Sequence, residues 1–200
     1  MKITSIKQQI KNPERASIFV DGKYAFSLHL NELVQEKLKI GQEIEEADLK
    51  RLKKLSEDGK LKARTLEWVL NRPRSVREVR DYLYRKKAEP EFSTELIQEF
   101  EARGYLSDLT FANWLIDMRR RNGKSDQVIK NELIKKGVAR EIITDVMPKD
   151  SEGEYGRLRA AYEKKRSHTR YKNDPIKLKQ YLLRQGFSYE DIKTLFVDKD

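Results

Sequence analysis

Two histidines, His29 and His168, are the only imidazoles in this sequence of 200 residues. Neither has a partner at the spacing a metal site requires. His29 borders a strand-like segment and His168 lies in a basic loop, so both read as structural or surface residues. The carboxylate pairs Glu43/Glu45 and Glu152/Glu154 have the chemistry to hold Mg²⁺ for hydrolysis. Each falls in a loop or exposed turn without further acids ordered around it, which reads as solvated charge. Cysteine is absent, so disulfides, thiolate nucleophiles and zinc–thiolate sites are excluded. No glycine-rich phosphate loop occurs: Gly104, Gly123, Gly137 and Gly186 each follow a helix-like segment, where left-handed caps belong. The expectation is a protein that is not an enzyme and needs neither cofactor nor metal.

The cations are a different matter. The formal charge is +10, and 43 Lys and Arg face 33 Asp and Glu. Arg119-Arg120-Arg121 end a helix, with Lys124 just beyond. Cations there complement the helix dipole by ~0.3–1 kcal/mol each. Lys164, Lys165, Arg166, Arg170, Lys172, Lys177 and Lys179 span a helix end, a loop and the next helix start, with Tyr162 and Tyr171 between them. From Tyr155 to Gly186 there are ten Lys or Arg against two acids, Glu163 and Asp174, a net +8. With Lys130, these cations are the candidate contacts to a polyanionic partner: nucleic acid, a nucleoprotein or an acidic protein face. Contacts made only to phosphates would confer affinity and salt dependence without base specificity.

These side chains must be positioned by a repeated scaffold. Ala63, Ala112 and Ala161 are 49 apart; Leu83, Leu133 and Leu182 follow at intervals of 50 and 49. Eight residues before each leucine stands a helix-start residue: Ser75, Ser125 and Asp174. A fixed period of this size signals a repeat architecture. The chain is 38% charged and 38% hydrophobic, a balance that suits thin stacked modules. Three units of three helices follow. Leu49 to Leu70 carry an apolar stripe that Gly59 interrupts, leaving one long helix or two, stopped by Arg72-Pro73-Arg74. Ser75 to Glu78 form a capping box, and Ser93 or Thr94 opens the next helix, closed by Gly104. In the second unit Asp108 caps a helix bearing Phe111, Trp114 and Leu115. Ser125 caps another, bearing Ile129 and Leu133, and a short helix follows Gly137. An acidic linker, 149–154, precedes the third unit, whose second helix starts at Asp174-Pro175.

Residues 3–28 differ from the rest. Ser17 to Val20, then Asp21-Gly22, then Tyr24 to Leu28 predict a β-hairpin closed by a type I′ turn. Ile3, Ile6 and Ile10 occupy a possible first strand. A hairpin this small needs a helix to pack on, and Asn31–Leu38, capped by Asn31 and followed by Gly41, is the candidate. The expected architecture is mainly α: three tandem three-helix repeats in an elongated curved array with a small N-terminal β-hairpin/helix extension. Its divisions are 1–58, 59–106, 107–149 and 150–200.

Two segments carry a resemblance. Gly104-Tyr105-Leu106-Ser107-Asp108-Leu109-Thr110-Phe111-Ala112, with Arg119 to Arg121, Gly123, Ile129, Leu133 and Lys136-Gly137-Val138, resembles the central signature of the RecX family. Arg72-Pro73-Arg74-Ser75-Val76-Arg77-Glu78-Val79, with Leu83, resembles that family's other marked segment. The similarity covers about residues 60–200, and the N-terminal extension resembles longer members from Gram-positive bacteria. Departures occur after Leu83, where Arg85-Lys86-Lys87-Ala88-Glu89-Pro90 stands in place of the usual Lys-Gly, and at Ser107, where Asp or Asn is common.

The resemblance implies a regulator of the RecA recombinase. It would lie in the groove of the RecA–single-stranded DNA filament and inhibit ATP hydrolysis, strand exchange and coprotease action. Single-stranded DNA would then be met weakly or through the filament. The alternative is a nucleic-acid-binding helical-repeat protein that acts without a recombinase. No apolar stretch reaches the ~20 residues that span a bilayer, and residues 1–20 lack a signal-peptide core. The chain is expected to be a cytoplasmic monomer.

Overall fold

A computed structural model describes residues 1–148 and 150–197. The N-terminal segment is a three-stranded antiparallel sheet in the order β1 (Ile3–Gln8), β2 (Arg15–Val20), β3 (Lys23–His29). The expected hairpin is therefore the second half of a larger sheet, because Ile3 to Gln8 pair along the free edge of β2. Asp21 and Gly22 both hold positive φ, 48° and 81°, as a type I′ turn requires. Ile3, Ile18, Val20, Phe26 and Leu28 form the buried face.

Helix α1 spans Leu30–Gln35 and is capped by His29, not Asn31. The imidazole Nδ1 accepts the Asn31 N–H at 3.2 Å, and the Glu32 carboxylate accepts the His29 N–H at 2.7 Å. This box forms because β3 runs directly into the helix. The cap places His29 in a structural role.

Helix α2 (Glu46–Leu70) is one continuous helix of 25 residues. Its first half gives Leu52 to the sheet core and its second half gives Val69 to the next core, so position 58/59 lies within it. Ser56 fastens the first half: its hydroxyl donates to the Ser27 carbonyl at 2.6 Å. Gly59 passes against Glu32, whose Oε1 would lie 2.6 Å from any Cβ there. The glycine permits this approach and the helix runs on through it.

Repeat 1 is completed by α3 (Val76–Arg85) and α4 (Pro90–Ala102). Neither Ser93 nor Thr94 starts α4. Pro90 occupies its first turn, where the missing N–H costs nothing, and the Ser93 hydroxyl bonds back to Glu89 at 2.9 Å. The departure after Leu83 leaves the junction intact. Lys87 adopts the left-handed φ of 59°, and Ala88 N–H closes onto the Leu83 carbonyl as Val138 N–H does onto Leu133.

Repeat 2 comprises α5 (Asp108–Arg121), α6 (Asp126–Lys135) and α7 (Arg140–Val146). Ser107 caps α5, accepting the Thr110 N–H at 3.2 Å, which leaves the Asp108 carboxylate for repeat 1. Repeat 3 comprises α8 (Ser151–Arg166), α9 (Pro175–Gln185) and α10 (Tyr189–Val197). The expected acidic linker is largely the start of α8, capped by Asp150; acids there face the positive end of the helix dipole. Lys149 of that segment lies outside the described residues. Each repeat has its own apolar core, built around Phe100, Phe111 and Leu158 respectively.

Candidate nucleic-acid interface and the joints that position it

The helix caps and stops do more than end helices: they join the repeats. The Ser75 hydroxyl accepts the Glu78 N–H at 3.1 Å and donates to the Lys136 carbonyl, in the next repeat, at 2.8 Å. Glu78 meanwhile takes Lys136 Nζ at 2.8 Å and Arg72 at 3.3 Å. Val76 N–H bonds Asp108 at 2.9 Å. The Arg72 guanidinium lies 4.9 Å from the Trp114 ring, while Arg74 stacks at 3.9 Å on Trp68. Gly137, at φ 80°, comes so close to α3 that a Cβ would sit 2.9 Å from Arg77 Cβ.

A related joint links repeats 2 and 3. Ser125 N–H donates to the Gln185 carbonyl at 3.0 Å, and Asp126 N–H donates to Glu154 at 3.0 Å. A Cβ on Gly186 would overlap Val128 Cγ2 and lie 2.5 Å from Ser125 Oγ. Most of the signature residues thus serve the fold. Phe111, Ala112 and Leu133 are core. Gly104 and Gly123 hold left-handed φ of 72° and 71°. Tyr105 leans edge-on against Phe100 at 6.0 Å, with its ring partly exposed.

Burial would push Glu78 up, but hydrogen bonds from Lys136 and Arg72 outweigh it and hold the carboxyl below the ordinary carboxylate range. Asp108 goes the other way: burial raises it, and the Val76 N–H and the Arg80 charge only partly offset that.

The second joint creates a basic groove of about 340 Å³ between the end of α5 and the outer side of α8. Arg120, Arg121, Arg157, Lys164, Lys165 and Tyr181 line it, and no acid does. Its floor is built from arginines that are themselves paired. The buried Asp126 carboxylate receives Arg120 through two bonds of 3.0 Å and Arg157 through one of 2.6 Å. Two guanidiniums share this one buried carboxylate, and Arg157 also reaches the exposed Asp150 at 3.9 Å. Arg157 Nε is buried without a hydrogen-bond partner. Lys165 lies 5.6 Å from the Tyr181 ring, Tyr181 5.5 Å from Tyr171, and Arg170 5.7 Å from Tyr171. Alternating cations and rings of this kind suit single-stranded nucleic acid, whose bases stack while its phosphates pair.

The structure sorts the candidate contacts. Arg121, Lys164 and Lys165 come together at the groove, with Arg170 and Lys172 in the adjoining loop after α8. Lys124 is half-buried just beyond α5. Arg119 is committed elsewhere, through bonds of 2.8 and 2.6 Å to Glu132. Arg166 pairs with Glu163 at 2.8 Å and Lys177 with Asp174 at 2.8 Å. Lys130 and Lys179 stand on α6 and α9, away from the lining of the groove. Tyr162 is core, packed edge-on against Phe196 at 5.2 Å. Sequence reasoning singled out neither Arg157 nor Tyr181. Register held a clue to the latter: Tyr82 also precedes a core leucine, and it stacks on Trp68 at 4.7 Å.

Among the described residues, no group of three or more His, Asp and Glu is placed to hold a metal ion, and no helix is long and apolar enough to cross a membrane. Residues 1–45 match the model of the regulatory protein RecX N-terminal domain, and residues 107–147 that of the RecX second three-helix domain. The chain is 34% identical over 196 residues to regulatory protein RecX of Bacillus pumilus, covering 95% of this chain and 74% of that protein. Against that of Listeria innocua it is 36% identical over 148 residues, covering 74% of this chain and 55% of the relative, so the match spans about half of that protein. A crystal structure of regulatory protein RecX superposes with a TM-score of 0.70 at 24% identity, covering 96% of this chain and 97% of that one, a likeness of fold. RecX from Lactobacillus salivarius gives 0.56 at 26% identity, covering 70% of this chain and 95% of that one.

Proposed function

The chain belongs to the RecX family of regulatory proteins, and on that premise we propose that it binds the RecA–single-stranded DNA filament and restrains it, lowering ATP hydrolysis, strand exchange and coprotease activity. The observation that carries the reading is the groove at the joint of repeats 2 and 3, whose lining holds Arg121, Lys164, Lys165 and Tyr181 and no acid. A strand already held in a filament can lay its phosphates along these cations. Repeats joined at their helix ends offer protein subunits a surface alongside it. The regulator would act through binding energy that biases an assembly, with no bond broken.

The same groove supports the rival reading of nucleic-acid binding without a recombinase. The two differ in what must be present. The regulator changes recombinase ATPase rate and filament length at stoichiometric ratios while binding naked strands modestly. The rival binds naked single strands tightly with a steep salt dependence and leaves the recombinase alone. ATPase and filament-length measurements with and without the protein decide between them; an unchanged recombinase at equimolar protein sinks the proposal.

A further inference from the structure

Helices α3, α6 and α9 are the second helix of each repeat, and the joints set them end to end. The start of α3 meets the end of α6 at Ser75 and Lys136, and the start of α6 meets the end of α9 at Ser125 and Gln185. Each buries a matching pair: Val79 and Leu83, Ile129 and Leu133, Leu178 and Leu182. Beside that stripe each helix carries a cation and, one turn later, an apolar residue: Arg80 and Tyr84, Lys130 and Ile134, Lys179 and Leu183. Both series recur at intervals of 50 and 49. At 3.6 residues per turn these positions lie about 100° and 140° from the first core residue and about 60° and 100° from the second, so the cation flanks the core stripe and the apolar residue is turned further from it.

The apolar members are exposed: Tyr84 by 82%, Ile134 by 46% and Leu183 by 42%. One exposed apolar side chain is ordinary on a protein surface, but core packing does not account for three in register. Arg80 and Lys130 form none of the close ion pairs found among the described residues, although the Arg80 charge acts on Asp108, and Lys179 rests 4.6 Å from the Phe196 ring. At the first position the surface is hollowed. Arg80, Tyr84, Val76, Ala88, Pro90 and Ile97 border a groove of about 480 Å³ whose one acidic lining residue is Glu101.

We propose that this row is a docking surface for a protein polymer whose subunits each present an apolar patch bordered by carboxylates. On the reading above, which this inference rests on, that polymer is the recombinase filament. The occupant is protein because Ile134 and Leu183 offer no π face to a base and nothing to a phosphate. Each apolar residue comes with its own cation, so the matching patch carries acid beside hydrocarbon. The row and the basic groove use opposite sides of α9: Tyr181 lies about 60° from Leu178 in one sense and Leu183 about 140° in the other. A strand and its protein coat can thus be held on separate surfaces. A polymer repeats its patch, so contacts that are weak singly add through linkage.

The test is co-sedimentation of the full chain with recombinase filaments assembled on poly(dT) with a non-hydrolysable ATP analogue, beside titration with poly(dT) alone. The arms are the unaltered protein, Y84S/I134S/L183S, R80E/K130E/K179E and K164E/K165E, with helicity checked by circular dichroism. Y84S/I134S/L183S should keep poly(dT) affinity within about twofold while filament affinity falls at least about tenfold. R80E/K130E/K179E, which lowers the net charge by six, should weaken both but cost several-fold more filament than poly(dT) affinity, and single apolar changes should cost only several-fold. A row variant that sediments like the unaltered protein overturns the inference and leaves the filament reading standing. A variant that loses poly(dT) and filament affinity by the same factor also overturns it, marking the row as a nucleic-acid surface. If the unaltered protein fails to sediment, the filament reading falls and this inference with it.

Discussion

The hydroxyl of Ser75 donates to the carbonyl of Lys136, 61 residues further along the chain, across 2.8 Å. The same oxygen accepts the Glu78 N–H that begins α3. One buried side chain is therefore both a helix cap and a tie between repeats, and its counterpart Ser125 ties through its backbone N–H instead.

That difference predicts unequal losses. Ser75→Ala removes the cap and orphans the Lys136 carbonyl, for about 1–2 kcal/mol. Ser125→Ala removes a cap but keeps its N–H bond to Gln185, for about 1 kcal/mol or less. Thermal unfolding followed by circular dichroism should place Ser75→Ala about 3–6 °C below the parent and Ser125→Ala nearer to it. Equal shifts would remove the inter-repeat role of the Ser75 hydroxyl.

The glycines that stop the helices should separate in the same way. Nothing lies within 4 Å of the position a methyl group on residue 104 would take, so Gly104→Ala carries only the strain of its left-handed φ of 72°, about 1–2 kcal/mol. Gly186→Ala carries the same strain and also drives a methyl into Val128 and Ser125. Denaturant midpoints should fall further for Gly186→Ala, and equal midpoints would contradict so tight a second joint.

Acid should act on the first joint through two carboxyls of opposite sign. Glu78 is held below its ordinary value by Lys136 and Arg72 against the effect of burial. Its contribution is present above the unfolded pKa of about 4.3 and is lost as pH falls through the folded value. Asp108 is raised by burial, so its contribution is present below about pH 3.9 and is lost as pH rises through the folded value. Melting temperatures from about pH 6 down to 2 should show Glu78→Gln less stable at neutral pH and less acid-sensitive than the parent. Asp108→Asn, which keeps an acceptor for the Val76 N–H, should be neutral or slightly stabilising at pH 7. A parent whose stability is unaffected by Glu78→Gln at either end would refute the assignment.

Charge reversal should distinguish the groove from the paired cations. Lys164→Glu with Lys165→Glu should weaken poly(dT) binding and flatten its salt dependence by about 0.7 in slope for each phosphate left without its cation. Arg119→Ala breaks the pair with Glu132 and should lower stability while leaving that slope unchanged. Fluorescence titrations across a salt series read both; a flattened slope for Arg119→Ala would place it at the interface.

Much of this protein is written locally in its sequence. The second-helix caps Ser75, Ser125 and Asp174, the glycine stops and the 49-residue period follow from rules that act over one helical turn, where a side chain meets its own backbone. Those rules erred where neighbours competed. His29 displaced Asn31 as a cap because β3 feeds straight into α1, and Asp108 left the cap of α5 to Ser107 because Val76 offered its N–H. The cations were legible as a cluster but not as individuals. Charge in a sequence has no direction, and only three-dimensional proximity committed Arg119 to Glu132, set Arg120 and Arg157 on Asp126, and left Arg121, Lys164 and Lys165 lining one groove with Tyr181. The sequence by itself determined the helices and their punctuation; the tertiary structure decided which punctuation marks became joints, and thereby which charges remained for a partner.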